Sequence, residues 1–171
     1  MDELAAGLSR ITFGPEVANA YEQAFNKIVL FAENVRGPGI PLDELVVTRT
    51  LAGPFTTGGL LILLTEPRSY HPWDKGIDHV IATCNSLDSL NEGIQIGSKG
   101  HLSFKDDVSV LDLRPFLPKK LHPTLRDSEW EALYDLVFSA IEAKKTEVLL
   151  CMGVVCKIPE LHLQRKRAKR F

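Results

Sequence analysis

Three short apolar runs stand out along the chain, each preceded by a stretch whose apolar residues recur at three- and four-residue steps. The first run, Leu60 to Leu64, is continuously apolar and bounded by Gly58-Gly59 and Thr65-Glu66-Pro67. A run of that length between breakers predicts a strand buried on both faces, as in parallel sheets. Val108 to Leu113 predicts a second core strand, and Glu147 to Gly153 a third with a glycine at its exit.

The intervening periodicity predicts helices. Gly14-Pro15 opens the first, and Val17, Ala20, Tyr21, Ala24, Phe25, Ile28 and Phe31 form a stripe ending near Val35, before Gly37-Pro38-Gly39. A second is expected from Asp74 to about Leu90, capped by Asp74, with Ile77, Val80, Ile81, Cys84 and Leu87 inward. Asn91 to Asp107 reads as polar, with room for a short strand at Gly93 to Ile96. Ser128 and Glu131 have capping-box spacing before a third helix lined by Trp130, Leu133, Tyr134, Val137, Phe138 and Ile141. Leu42 to Thr50 is ambiguous, and a short strand is one reading of it.

Helix and strand alternating in this order predict parallel pairing with right-handed crossovers. The expected fold is a three-layer α/β sandwich around a short, mostly parallel sheet of about four strands. At 171 residues it fits one domain, taken as residues 1–160, followed by a basic tail at 161–171.

Charge sharpens the picture at one end. The net charge of −2 includes Arg165, Lys166, Arg167, Lys169 and Arg170; without them Lys+Arg falls from 20 to 15 against 22 Asp+Glu, and the body carries −7. An acidic body repels polyanions, so attraction to nucleic acid must come from that tail or from a local patch. The tail also fits a nuclear targeting signal or a merely solvated end. The acidic start and the absence of a long apolar run predict an intracellular protein without a membrane anchor. Cys84, Cys151 and Cys156 are too few and too scattered for a disulfide framework, and Cys151 reads as a small core residue. No Cys/His pair has zinc spacing, and neither a glycine-rich phosphate loop nor a serine nucleophile elbow is present; no metal or cofactor is expected.

Candidate chemistry lies at the exit of the first strand, since open α/β sheets bind ligands past the carboxyl ends of their strands. Leu60 to Leu64 with Thr65-Glu66-Pro67-Arg68-Ser69-Tyr70-His71 resembles the first catalytic motif of the uracil-DNA glycosylase superfamily, an apolar strand followed by Gly-Gln-Asp-Pro-Tyr-His. Val108 to Leu113 and Val148 to Gly153 resemble later strands of that family, and together the matches cover about half the chain by their α/β order. The resemblance implies base excision from DNA, with Glu66 as the carboxylate that positions water or stabilises the cationic sugar and His71 as a catalytic histidine. It places Pro67, Tyr70 and Asp112 against the substrate, Tyr70 as the wall that excludes bulkier bases and Asp112 where the family has a base-reading Asn. As a carboxylate, Asp112 only accepts hydrogen bonds, whereas an amide also donates. Glu66 is one carbon longer than Asp, and the family's histidine beyond a further strand has no counterpart in context: His122-Pro123 precedes the third strand and reads as a loop, and His162 lacks the surrounding motif.

Plainer roles exist for the same residues. Glu66 fits an exposed loop carboxylate, His71 and Tyr70 fit loop packing, and Arg114 fits an ion pair with Asp112. The sequence therefore carries three functional expectations: a base-excising enzyme or its inactive relative acting on DNA, a non-enzymatic domain binding a small ligand or a protein at the strand ends, and a nucleic-acid-binding domain acting mainly through its basic tail.

Overall fold

A computed structural model of the chain describes residues 19–37, 39–67, 70–117 and 119–152. Within these lie five α-helices and three strands: α1 (Ala20–Arg36), α2 (Leu42–Ala52), β1 (Leu60–Leu64), α3 (Ile77–Thr83), α4 (Asn85–Gly97), β2 (Val108–Asp112), α5 (Asp127–Lys144) and β3 (Val148–Cys151). Single 3-10 turns, Trp73–Lys75 and Lys119–Thr124, precede α3 and α5.

The three strands form one parallel sheet in the order β2-β1-β3. Leu60 to Leu64 pairs in register with Val108 to Asp112, and Leu60 to Leu63 with Val148 to Cys151. Side chains alternate between faces, and the two cores sort accordingly. Leu61, Leu63, Leu111 and Leu113 join α1 and α5, through residues such as Phe25, Ile28, Leu133 and Val137. Ile62, Val108 and Val110 join α3 and α4, through Val80, Ile81, Leu87 and Leu90. The result is an α/β fold of three layers, as the apolar pattern predicted.

Several local expectations are corrected. Leu42–Ala52 is a helix, not a strand: Glu44, Leu45, Val47, Thr48 and Ala52 are its buried positions, a helical face that the apolar run Leu45-Val46-Val47, with its two β-branched valines, obscures. The single helix expected from Asp74 is three elements, with Gly76 (φ +78°) and extended Cys84 separating them, so Asp74 lies in a 3-10 turn and caps nothing. The strand considered at Gly93 to Ile96 is the last part of α4. Ser128 and Glu131 do not form the capping box. The carboxylate reaching back is Glu129, which accepts from the Arg126 N–H at 2.8 Å and from its guanidinium at 3.0 Å. The third strand is an edge, not a core strand: Val148 is 56% exposed, and Leu149 and Leu150 are also exposed. Among the described residues the sheet has three strands rather than about four. The opening Gly14-Pro15 of the first helix, the glycine exit of the third strand, Cys156, His162 and the basic tail lie outside the described residues.

Two buried contacts fix the loops that lead into and out of the sheet. Lys144 is buried at the end of α5, donates to the Pro54 carbonyl at 2.8 Å and lies 5.2 Å over the Tyr21 ring. Burial pushes its ammonium below the usual lysine range. On the far side of β2, Phe116 is fully buried with φ +62°, and Arg36 donates to its carbonyl at 3.0 Å. A bulky residue rarely holds that backbone region, so packing and this hydrogen bond together determine the loop's course.

Candidate functional site

The β1–β2 pairing continues beyond the regular strands. Leu113 N–H donates to Leu64 O at 2.8 Å and Arg114 N–H to Thr65 O at 3.1 Å. Leu64 stands opposite Asp112, and Glu66 and Arg114 lie two residues further along each chain. The pairing thus brings both residues to the strand exits beside the terminal carboxyl of Asp112.

Glu66 is largely enclosed, with its side chain 16% exposed. Three nitrogen groups face it from the segment after β2. Arg114 Nη1 is 3.5 Å from Oε2, Lys119 Nζ is 3.1 Å from Oε1, and His122 Nε2 is 3.8 Å from Oε2. The anticipated pairing of Arg114 with Asp112 is replaced by this pairing with Glu66. Arg114 is itself held by α5: its Nε donates to Tyr134 Oη at 3.2 Å and its guanidinium lies 5.1 Å from the Trp130 ring centroid. His122 packs edge-on to the same indole at 5.1 Å, with Nε2 3.1 Å from the Leu117 carbonyl.

Asp112 has a different environment. Burial, augmented by the nearby charge of Glu66, pushes its carboxyl up to about 7 from an ordinary 3.8. Among the described residues, Glu66 Oε2 and Asp112 Oδ1 are buried oxygens without a hydrogen-bond partner. Buried polar atoms are nearly always hydrogen-bonded, so two acceptors without a hydrogen bond on one pair of strand ends, one of them facing cations only at ion-pair distance, mark a place suited to a ligand's donor. The cations face Glu66, and none is paired to Asp112 among the described residues, so burial acts on Asp112 without an opposing ion pair. A protonated carboxyl both donates and accepts. The limitation read from the sequence, that Asp112 can only accept, is lifted by its surroundings.

The remaining sequence candidates are more dispersed. Pro67 is half-buried at the end of the β1 exit. Tyr70 is 73% exposed, not the enclosed pocket wall that the resemblance implies. His71 is half-buried and packs edge-on to Trp73 at 4.7 Å. The imidazole beside Glu66 is that of His122, which sequence reading set aside as a loop residue. Arg114, Lys119, Trp130 and Tyr134 complete the surroundings of Glu66 without belonging to any sequence motif. Their signal was weak but present: a basic and histidine-containing segment directly follows the strand that ends in Asp112.

Fold and site together define a parallel α/β domain carrying a carboxylate pair at adjacent strand exits. No family model, curated protein or solved structure matches the chain.

Proposed function

We propose that the protein is a nucleobase-excising hydrolase of the uracil-DNA glycosylase type, with Glu66 and Asp112 as its central pair. The observation that carries this reading is the pair of buried oxygens that accept no hydrogen bond among the described residues, Glu66 Oε2 and Asp112 Oδ1, at the ends of adjacent parallel strands. In the reaction, the glycosidic bond between sugar and base breaks, the base departs with the bonding electrons, water adds to the sugar carbon as hydroxyl, and the proton that the water loses ends on the released base. Glu66 accepts a hydrogen bond from that water and opposes the positive charge that develops on the sugar. Protonated Asp112 offers a donor and an acceptor side by side, the pattern an amide would present to a base edge that has a carbonyl beside an N–H. His122, next to Glu66, takes the part first assigned to His71, facing the departing base.

The test is release of uracil from single- and double-stranded DNA. Wild type should excise and Glu66→Ala should lose activity by at least about 100-fold, the scale on which misplaced or missing catalytic groups act. Equal activity in both proteins, or none in wild type, removes the enzyme reading.

A second reading, a small-ligand-binding domain, rests on a separate feature. A cavity of about 440 Å3 lies at the amino-terminal end of the sheet, with Leu45, Val46, Pro54 and Phe55 in its lining together with Arg49 and Thr50. That volume and a mostly apolar lining are usual for small-molecule sites. If excision is absent, an apolar fluorescent probe that binds here, and is weakened by Val46→Asp, favours this reading.

A further inference from the structure

We propose that Lys119 and Arg114 form a phosphodiester-binding edge, holding the strand whose nucleobase enters at Glu66 and Asp112. The inference rests on the excision reading for the identity of the strand, and on the local charge for the contact itself.

The charge balance around Glu66 is uneven. Arg114 and Lys119 both face this one carboxylate, and His122 stands on a third side. One carboxylate does not neutralise two fixed cations, and Lys120, exposed in the same 3-10 turn, adds another nearby. This surplus sits on a chain whose body is acidic once the terminal basic run is set aside. An acidic body repels a polyanion everywhere except at such a patch.

The two cations are suited to different parts of the task. Lys119 is 77% exposed, yet its ammonium is 3.1 Å from Glu66 Oε1. It therefore spans from solvent to the carboxylate and can keep that contact while meeting a phosphate outside it. A lysine ammonium has three donors, so one carboxylate contact leaves donors for an anion. Arg114 is fixed from behind by Tyr134 and Trp130, with Nη1 toward Glu66. A guanidinium held in this way is preorganised for planar anions and phosphates. Trp130 and Tyr134, stacked at 6.0 Å beside it, are partly buried and place aromatic surface next to the same rim. Aromatic faces near cationic side chains are the usual means of holding single strands.

The experiment uses the full chain and a short fluorescent single-stranded DNA, with affinity measured over a series of salt concentrations. Proteins compared are wild type, Lys119→Ala, Lys119→Arg, a Lys119→Ala/Lys120→Ala double variant, and a chain lacking Arg165 to Phe171. Each lost phosphate contact on a single strand lowers the salt slope by about 0.7. Lys119→Ala should weaken binding and lower the slope by about that amount, Lys119→Arg should restore it, and the double variant should lower it further. The tail-deleted chain should retain binding that still depends on Lys119. Lys119 is on the surface, so its variants should unfold at the wild-type temperature, which excludes a folding defect as the cause. Inorganic phosphate should compete with the DNA in wild type. An unchanged slope in Lys119→Ala, or complete loss of binding on deleting the tail alone, overturns the proposal. Excision measured on the same proteins separates the two ideas. Lys119-dependent binding without excision sinks only the enzyme reading. Excision with a Lys119-independent slope sinks only the phosphate edge.

Discussion

The carboxyl of Asp112 lies beside that of Glu66 because Asp112 pairs in register with Leu64, two residues before Glu66 on the neighbouring strand. Parallel pairing is what makes this possible: both chains leave the sheet at the same end, so their first loop residues meet. The pair is asymmetric. Arg114, Lys119 and His122 converge on Glu66, while burial dominates at Asp112. Two neighbouring carboxyls in such different surroundings are the kind of pair that can divide acid and base roles.

The first prediction concerns stability and pH. Asp112 is raised from 3.8 to about 7 on folding. Between those values the folded protein retains a proton that the unfolded chain has released, so stability falls as pH rises through the window and levels off above it. Asp112→Asn has no such proton. Its stability relative to wild type should therefore grow between about pH 4 and about pH 7, by up to about 4 kcal/mol at 1.36 kcal/mol per unit. Urea unfolding at several pH values measures this directly. A constant difference across the window would mean that Asp112 titrates in its ordinary range.

Activity should follow the same group. If excision requires Asp112 as a donor, the single-turnover rate should decline above about pH 7 as that proton is lost. Asp112→Asn keeps a donor and an acceptor at every pH, so its rate should lack this decline. The informative result is the shape of the profile rather than its height. A wild-type profile that stays flat from about pH 5 to about pH 9 would remove Asp112 from the reaction.

Periodicity made the layered architecture legible because each strand is short, apolar and bounded by breakers, and because α1 and α5 have clear inward stripes. It failed where tertiary contact overrode local preference. Leu45-Val46-Val47 favours a strand by composition, yet it forms a helix packed against both cores. The exposure of β3 was invisible in its sequence, because an edge strand and a central strand can carry the same apolar run. Glu66 and Asp112 could be selected from position at strand ends, and the structure brings them together. Arg114, Lys119 and His122 could not, because their approach to Glu66 depends on the turn at Phe116 and the packing of Trp130, neither of which has a sequence period.

The start of α5 gives a local test of how its cap is built. Glu129 accepts from the Arg126 backbone and guanidinium, and these hydrogen bonds hold its carboxyl below the usual glutamate range. Ser128 lies inside the helix and is exposed. Glu129→Ala should lower stability through the lost capping contact, whereas Ser128→Ala should be neutral or slightly favourable in a helix interior. Thermal unfolding of the two variants distinguishes this arrangement from the Ser128–Glu131 box, which would give the reverse order.

The loop that carries the site depends on Arg36 and Phe116. Arg36 Nη1 donates both to Phe116 O at 3.0 Å and to the buried Glu44 carboxylate at 2.8 Å. Burial pushes Glu44 up, and the guanidinium partly offsets this. Replacing Arg36 with Leu removes that offset and leaves a buried carboxyl unpaired, so the folded protein should retain the Glu44 proton more strongly. The resulting loss of stability should be small at low pH and grow as pH rises above the unfolded glutamate value, reaching about 3 kcal/mol or more, as when one partner of a buried pair is removed. Phe116→Ala, by contrast, should cost about 3–5 kcal/mol at every pH, because it opens a cavity and changes no charge. Denaturant unfolding at about pH 4 and about pH 8 separates the two mechanisms. An Arg36→Leu variant with the same deficit at both would show that Glu44 does not depend on its guanidinium, and that Arg36 acts only through the Phe116 carbonyl.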